Sequence, residues 1–175
     1  MKISIYIATS LDGFIARTDG DIEWLFYFND PNDKEDYGYA EFMASIDSIV
    51  MGRKTLEKVL TFPDWPYEKP VIVFSNTLKV IPEKCEGKIE IFSGTIEDLI
   101  TKLKGEKRER IYIDGGKTIQ TFIAGGYVSD LTLTRIPILI GSGIPLFGSI
   151  PKDIKLKHVI TRSFSSGFVQ SKYEL

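Results

Sequence analysis

Ile111-Tyr112-Ile113-Asp114-Gly115-Gly116-Lys117-Thr118-Ile119 passes from a short apolar strand into a helix through two glycines. The helix is predicted over about Thr118 to Ala124, with Gly125-Gly126 as its C-terminal stop. A strand that runs straight into a helix through a tight glycine turn is half of a parallel crossover unit. Working outward, Ser48-Ile49-Val50-Met51-Gly52-Arg53-Lys54-Thr55 has the same grammar, with a helix from about Lys54 to Leu60.

Before it, Ile3, Ile5 and Ile7 alternate with Ser4, Tyr6 and Ala8, the period of a strand. Tyr39, Phe42, Met43 and Ile46 then fall on one helical stripe. Val71-Ile72-Val73-Phe74 and Ile89-Glu90-Ile91-Phe92 add strands, and Thr95 with Asp98 forms a capping box for a helix over Ile96 to Leu103. After Gly126 the helical periods stop. Strands Leu131 to Pro137, His158 to Phe164 and Phe168 to Glu174 follow, the last two joined by Ser165-Ser166-Gly167. The expected fold is α/β and three-layered: a mostly parallel sheet of about eight strands, helices on both faces, and a C-terminal antiparallel hairpin at or near an edge. No internal repeat or linker divides it, so residues 1–175 are expected to form one domain. Loops are expected over Asp19 to Asp33 and Gly141 to Pro151.

Composition narrows the chemistry. The 175 residues are 43% apolar and 26% charged with a net charge of −2, the balance of a globular domain with its own core. One Cys and one His exclude a disulfide framework, a zinc finger and a Cys-His protease. No metal is expected. The acidic total argues against nucleic acid as a partner, and no apolar run reaches the ~18 residues of a membrane span. The opening residues lack a signal-peptide design, so a cytoplasmic protein is expected.

In open α/β sheets, ligands bind where strands end and helices begin. Gly52-Arg53-Lys54-Thr55 offers free amides, a hydroxyl and two cations there, and Asp114-Gly115-Gly116-Lys117-Thr118 repeats the arrangement. Each also reads as a plain tight turn with solvated cations. Neither fits a Walker A loop or the Gly-x-Gly-x-x-Gly dinucleotide motif. Two separate anion sites suit a dinucleotide. Ser75 and Asn76, at a third strand end, would sit beside Arg53 and receive an extra ribose phosphate, which selects NADPH over NADH. Alone, that segment reads equally as turn formers.

Taken together, Ala8-Thr9-Ser10-Leu11-Asp12-Gly13-Phe14-Ile15-Ala16, Val50-Met51-Gly52-Arg53-Lys54-Thr55, Val73-Phe74-Ser75-Asn76 and Asp114-Gly115-Gly116 resemble the dihydrofolate reductase superfamily over nearly the whole chain. The Ser-Leu-Asp-Gly opening and the tract Ala124 to Leu131 leading to Pro137 to Phe147 are closer to the reductase domain of bifunctional riboflavin-pathway enzymes. The Met-Gly-Arg-Lys-Thr turn is more like dihydrofolate reductase itself. The zinc signature of the attached deaminase is absent.

The resemblance implies an NADPH-dependent reductase of a pyrimidine- or pteridine-type substrate, like the reductases of 5-amino-6-(5-phosphoribosylamino)uracil. The alternatives are dihydrofolate reductase and a non-catalytic NADP-binding module. No Arg lies between Arg53 and Arg108 to hold a folate tail. By the same resemblance, Ala8 would bond the nicotinamide carboxamide through its backbone and Ile15 would lie against the ring. Gly52, Arg53, Lys54 and Thr55 would hold phosphates, with Ser75 and Asn76 beside them. Gly115, Gly116, Lys117, Thr118 and Ile119 would bind the pyrophosphate and pack beneath the nicotinamide. Asp12 would open a covering loop, and Trp24 and Tyr39 would border the substrate.

Two carboxylates compete as the group that assists protonation. Asp36, three residues before Tyr39, is expected at the edge of the pocket, buried and with a raised pKa. Its place in the acidic cluster Asp33, Glu35, Asp36 also suits a simple helix start. Asp114 stands where riboflavin-pathway reductases carry an acidic residue that meets the substrate. His158 reads as a surface residue on a late edge strand. Phe26-Tyr27-Phe28 reads either as a lid or as a contact in a homodimer.

Overall fold

A computed structural model describes residues 1–28 and 34–175. Asp33 and the end of the loop expected up to it lie outside the described residues. The chain runs β1 (Lys2–Ser10), β2 (Phe14–Ala16), α1 (Tyr39–Ala44), β3 (Ser48–Gly52), α2 (Arg53–Val59), β4 (Val71–Phe74), β5 (Ile89–Phe92) and α3 (Ile96–Gly105). It continues through β6 (Arg110–Asp114), α4 (Gly116–Ala124), β7 (Asp130–Ile136), β8 (Ile144–Pro145), β9 (Lys157–Ser163) and β10 (Val169–Glu174). The main sheet has eight strands in the order β5-β4-β3-β6-β1-β7-β10-β9. Its first six neighbours pair in parallel, and β10 and β9 close it antiparallel, as the sequence predicts.

The order explains the layers. From β1 the chain steps past the β6 position to β3, β4 and β5, then returns to insert β6 between β3 and β1 before moving on to β7. Right-handed crossovers put connections running in opposite directions on opposite faces. Accordingly, Phe42 and Ile46 from the α1 region and Leu56 of α2 pack with Ile49, Met51, Val71 and Val73 on one face. Leu99 and Leu103 of α3 and Ile119, Phe122 and Ile123 of α4 cover Ile3, Ile5, Val50, Ile111 and Ile113 on the other. Ile113 is fully buried, so Ile113→Ala would cost ~2–5 kcal/mol.

The capping box at α3 forms as predicted: Thr95 accepts from the Asp98 amide, and Asp98 accepts from the Thr95 amide. The stripe Tyr39 to Ile46 yields a shorter helix than its period suggests, ending at Ala44. The loop expected over Gly141 to Pro151 begins with a bend at Gly141 to Gly143, but Ile144–Pro145 within it form β8, paired with β2, a strand pair the sequence does not announce. Gly143 permits this approach, because a Cβ there would stand 2.2 Å from the Ala16 carbonyl oxygen. His158 is exposed on edge strand β9, where Nε2 meets Thr161 Oγ1 at 2.8 Å. Among the described residues, no helix is long and apolar enough to cross a membrane.

Candidate active site

The two glycine turns meet at the middle of the sheet's carboxyl end. β3 and β6 are in register through Met51 and Asp114, so Gly52 and Gly115 leave adjacent strands at the same end. Each turn reads Gly-x-x-Thr, and the threonine of each lies against the glycine of the other. A Cβ on Gly52 would stand 2.8 Å from Thr118 Oγ1, and a Cβ on Gly115 only 1.9 Å from Thr55 Oγ1. Gly115 also has φ +89°, a conformation that strains any L residue. Gly116 brings in a third element, since its Cβ would meet Ile15 Cδ1 at 2.5 Å. The result is a close interlock of the two turns, with Thr55, Thr118 and Ile15 filling the space that side chains at Gly115, Gly52 and Gly116 would need.

Neither α2 nor α4 has a side-chain cap, so their first amides keep their hydrogen-bonding capacity. Arg53, Lys54 and Lys117 form an exposed basic rim. Among the described residues the Arg53 guanidinium pairs with Glu57, at 3.5 Å and in solvent, a pair weak enough to yield to a better anion. Gly52 is in register with Phe74, so Arg53 and Ser75 leave neighbouring strand ends. The side-chain oxygens of Ser75 and Asn76 are committed to shaping this end. Ser75 Oγ accepts from the amides of Thr77 and Leu78, and Asn76 Oδ1 accepts from the Ser93 hydroxyl and the Gly94 amide. Ile119 is fully buried, so its side chain supports α4 from within the core.

The strand ends carry one enclosed acid. Asp114 shares a sheet face with Tyr112 of its own strand and faces Tyr39 and Tyr67. It is densely surrounded yet keeps some exposure to solvent, the position of a group at the bottom of a cleft. Its Oδ1 accepts from the Gly115 amide at 2.8 Å and its Oδ2 from the Tyr67 hydroxyl at 3.2 Å. Burial raises its pKa above the ordinary aspartate value, and these donors only partly oppose the rise. The surrounding phenols shift as well. Burial, then the Asp114 charge, pushes Tyr39 up to about 12, and burial raises Tyr67 and Tyr112 too.

Asp36 is not where the sequence reading puts it. Its exposed carboxylate accepts from the amides of Gly38 at 2.9 Å and Ala40 at 3.0 Å, tying down the start of α1. Those amides hold its pKa below the ordinary value, the reverse of the expected rise. Asp12 is likewise occupied. It accepts from the Ser10 hydroxyl at 2.5 Å and the Gly141 amide at 2.8 Å, and so straps the β1–β2 turn to the segment before β8. The Ser10 bond is the main reason its pKa is lowered.

Trp24 is 0% exposed and packs with Ile136 and Phe168, against Ala8. Its indole N–H has no partner among the described residues. Tyr39, 39% exposed, makes an edge contact with Tyr6 at 5.7 Å. Tyr67 is the residue the sequence reading passes over. Its only local signal is the aromatic pair in Asp64-Trp65-Pro66-Tyr67, just before a strand. A separate cavity of about 310 Å³ lies between α1 and the β9–β10 hairpin, and none of the glycine-turn residues line it.

This architecture and these turns agree with a match of residues 1–170 to the RibD C-terminal domain. The chain belongs to that family. The uncharacterized Bacillus subtilis (strain 168) protein YwjB is 35% identical, with 98% of this chain and 97% of that one covered. A crystal structure of a Shewanella sp. PV-4 protein named for riboflavin biosynthesis is 39% identical with a TM-score of 0.95, covering 99% of this chain and 98% of that one. The Thermotoga maritima deaminase/5-amino-6-(5-phosphoribosylamino)uracil reductase shares the fold at a TM-score of 0.77 and 15% identity. It covers 99% of this chain and 56% of that one. The family read from the sequence motifs and the fold class expected from them both stand.

Proposed function

We propose that this protein is an NADPH-dependent reductase of a pyrimidine- or pteridine-type ring compound, with 5-amino-6-(5-phosphoribosylamino)uracil or a close analogue as the substrate class. The observation that carries the reading is the interlocked pair of Gly-x-x-Thr turns beside an enclosed carboxyl group. The glycines let the two turns pack against each other, which brings the uncapped first amides of α2 and α4 to one place, an arrangement suited to phosphate groups. The basic rim suits more than one phosphate, and an Arg at the Ser75 level suits a ribose phosphate. Membership of the RibD C-terminal family supports the same cofactor and reaction class.

Gly52 to Thr55 and Gly115 to Thr118 would hold the phosphates, with Ile15 against the nicotinamide. When bound, NADPH supplies a hydride to a C=N or C=O carbon. Asp114, whose neutral form is favoured by burial, would give its proton to the nitrogen or oxygen that gains the electron pair, and recover a proton from water. The unmet N–H of Trp24 is buried beside Ile136 and Phe168, where a bridging water would suit it. Tyr39 forms a wall of the same cleft.

Calorimetric titration tests the reading. NADPH should bind at least about tenfold, or ~1.4 kcal/mol, more tightly than NADH. Arg53→Ala should remove that preference, and Gly116→Val should abolish binding of both. Equal affinity for the two cofactors, or none for either, would defeat the assignment.

A further inference from the structure

Asp114 is surrounded by phenols, but they do not act on it alike. Tyr112 donates its single proton to the Tyr6 carbonyl at 3.0 Å, although its hydroxyl also reaches the carboxyl. Tyr39 is close enough for its charge state to matter, and no hydrogen bond joins it to Asp114 among the described residues. Tyr67 donates directly to Oδ2, while Oδ1 is taken by the Gly115 amide. Its ring is fixed by an edge contact with Trp65 at 5.6 Å, and both aromatics pack against the core beneath β3 and β4.

We propose that Tyr67 is a positioning residue for the Asp114 proton: its bond to Oδ2 fixes the carboxyl's orientation and holds the charge left when that proton is given up. The proposal rests on the reading of Asp114 as the proton donor. A carboxyl group with both oxygens satisfied by donors can become a carboxylate without an unpaired buried charge. Without Tyr67, proton release would leave Oδ2 without the one side-chain donor directed at it among the described residues. The charged rim residues Arg53, Lys54 and Lys117 point to solvent, so the groups that face the carboxyl are Tyr67 from the α2–β4 segment, Tyr112 from β6 and Tyr39 from α1.

The test is a 13C NMR titration of aspartate-labelled protein, with the Asp114 carboxyl signal assigned by its loss in Asp114→Asn. Removing a donor to a carboxylate disfavours the charged form. In Tyr67→Phe the signal should therefore titrate about one pH unit or more above the wild-type position. Tyr39→Phe, which removes no bond to the carboxyl, should shift it far less. With 5-amino-6-(5-phosphoribosylamino)uracil as the probe substrate, the alkaline limb of kcat/KM should move upward in Tyr67→Phe by the same amount. Coincident titrations of Tyr67→Phe and wild type, or an equal shift in Tyr39→Phe, would overturn the proposal. The NMR measurement needs no turnover, so a shifted signal in a protein that fails to bind NADPH would refute the reductase reading and leave the Tyr67–Asp114 coupling standing.

Discussion

Asp36 and Asp114 are both aspartates next to a helix start, yet the fold uses them in opposite ways. Asp36 lies in solvent with two backbone amides directed at it, and those donors stabilise its charge. Asp114 also accepts from a backbone amide, but at the end of a central strand, where burial outweighs the donors and favours the neutral form. The difference lies in how much water each carboxyl keeps, which depends on strand order. Inserting β6 between β3 and β1 places Asp114 at the middle of the sheet's carboxyl end, whereas Asp36 precedes a peripheral six-residue helix. A carboxyl whose neutral form is favoured is suited to act as an acid; one whose charge is stabilised at a helix start is suited to anchor it.

The largest expected effect that would break this contrast is on turnover. In an NADPH oxidation assay with 5-amino-6-(5-phosphoribosylamino)uracil, Asp114→Asn should lose about a hundredfold or more in kcat, with NADPH affinity nearly unchanged. Asp36→Asn should stay near wild type. A large loss in Asp36→Asn with none in Asp114→Asn would invert the assignment.

Stability should separate the two residues next, with opposite signs. The raised pKa of Asp114 means that the folded state pays for its ionisation. That penalty is absent below the ordinary aspartate value of 3.8 and sets in as pH rises through the higher folded-state value. Asp114→Asn should therefore raise the Tm at pH 8, by about 2–4 °C for ~1 kcal/mol in a chain of this size, and the gain should vanish in acid. The lowered pKa of Asp36 contributes stability that is present above 3.8 and lost as pH falls through its folded-state value. Asp36→Ala should lower the Tm at neutral pH, and the deficit should close in acid. Thermal melts across pH 3–8 check both signs.

How much of this was legible in the sequence depends on the range of the interaction. The strand and helix periods, the capping box at Thr95 and the two Gly-x-x-Thr turns are local patterns, and the fold class follows from them. The interlock of Thr55 with Gly115 and of Thr118 with Gly52 is not local. The two turns could be recognised separately, but their mutual contact required the register of β3 against β6. The β2–β8 pair escaped because its strands are three and two residues long and depend on Gly143 lying against a distant carbonyl. Spacing puts Asp36 at the correct helix, but the competition between pocket and backbone amides is decided by a turn that spacing does not encode. Tyr67 reaches Asp114 across 47 residues from a segment with no periodic signal.

The most direct test of the central claim is a crystal structure of the protein saturated with NADPH. The account predicts the phosphates on the Gly52–Thr55 and Gly115–Thr118 turns, the 2′-phosphate beside Arg53, and the nicotinamide against Ile15 on the cleft that holds Asp114. NADPH bound away from both turns, or a nicotinamide on the opposite side of the sheet from Asp114, would contradict it.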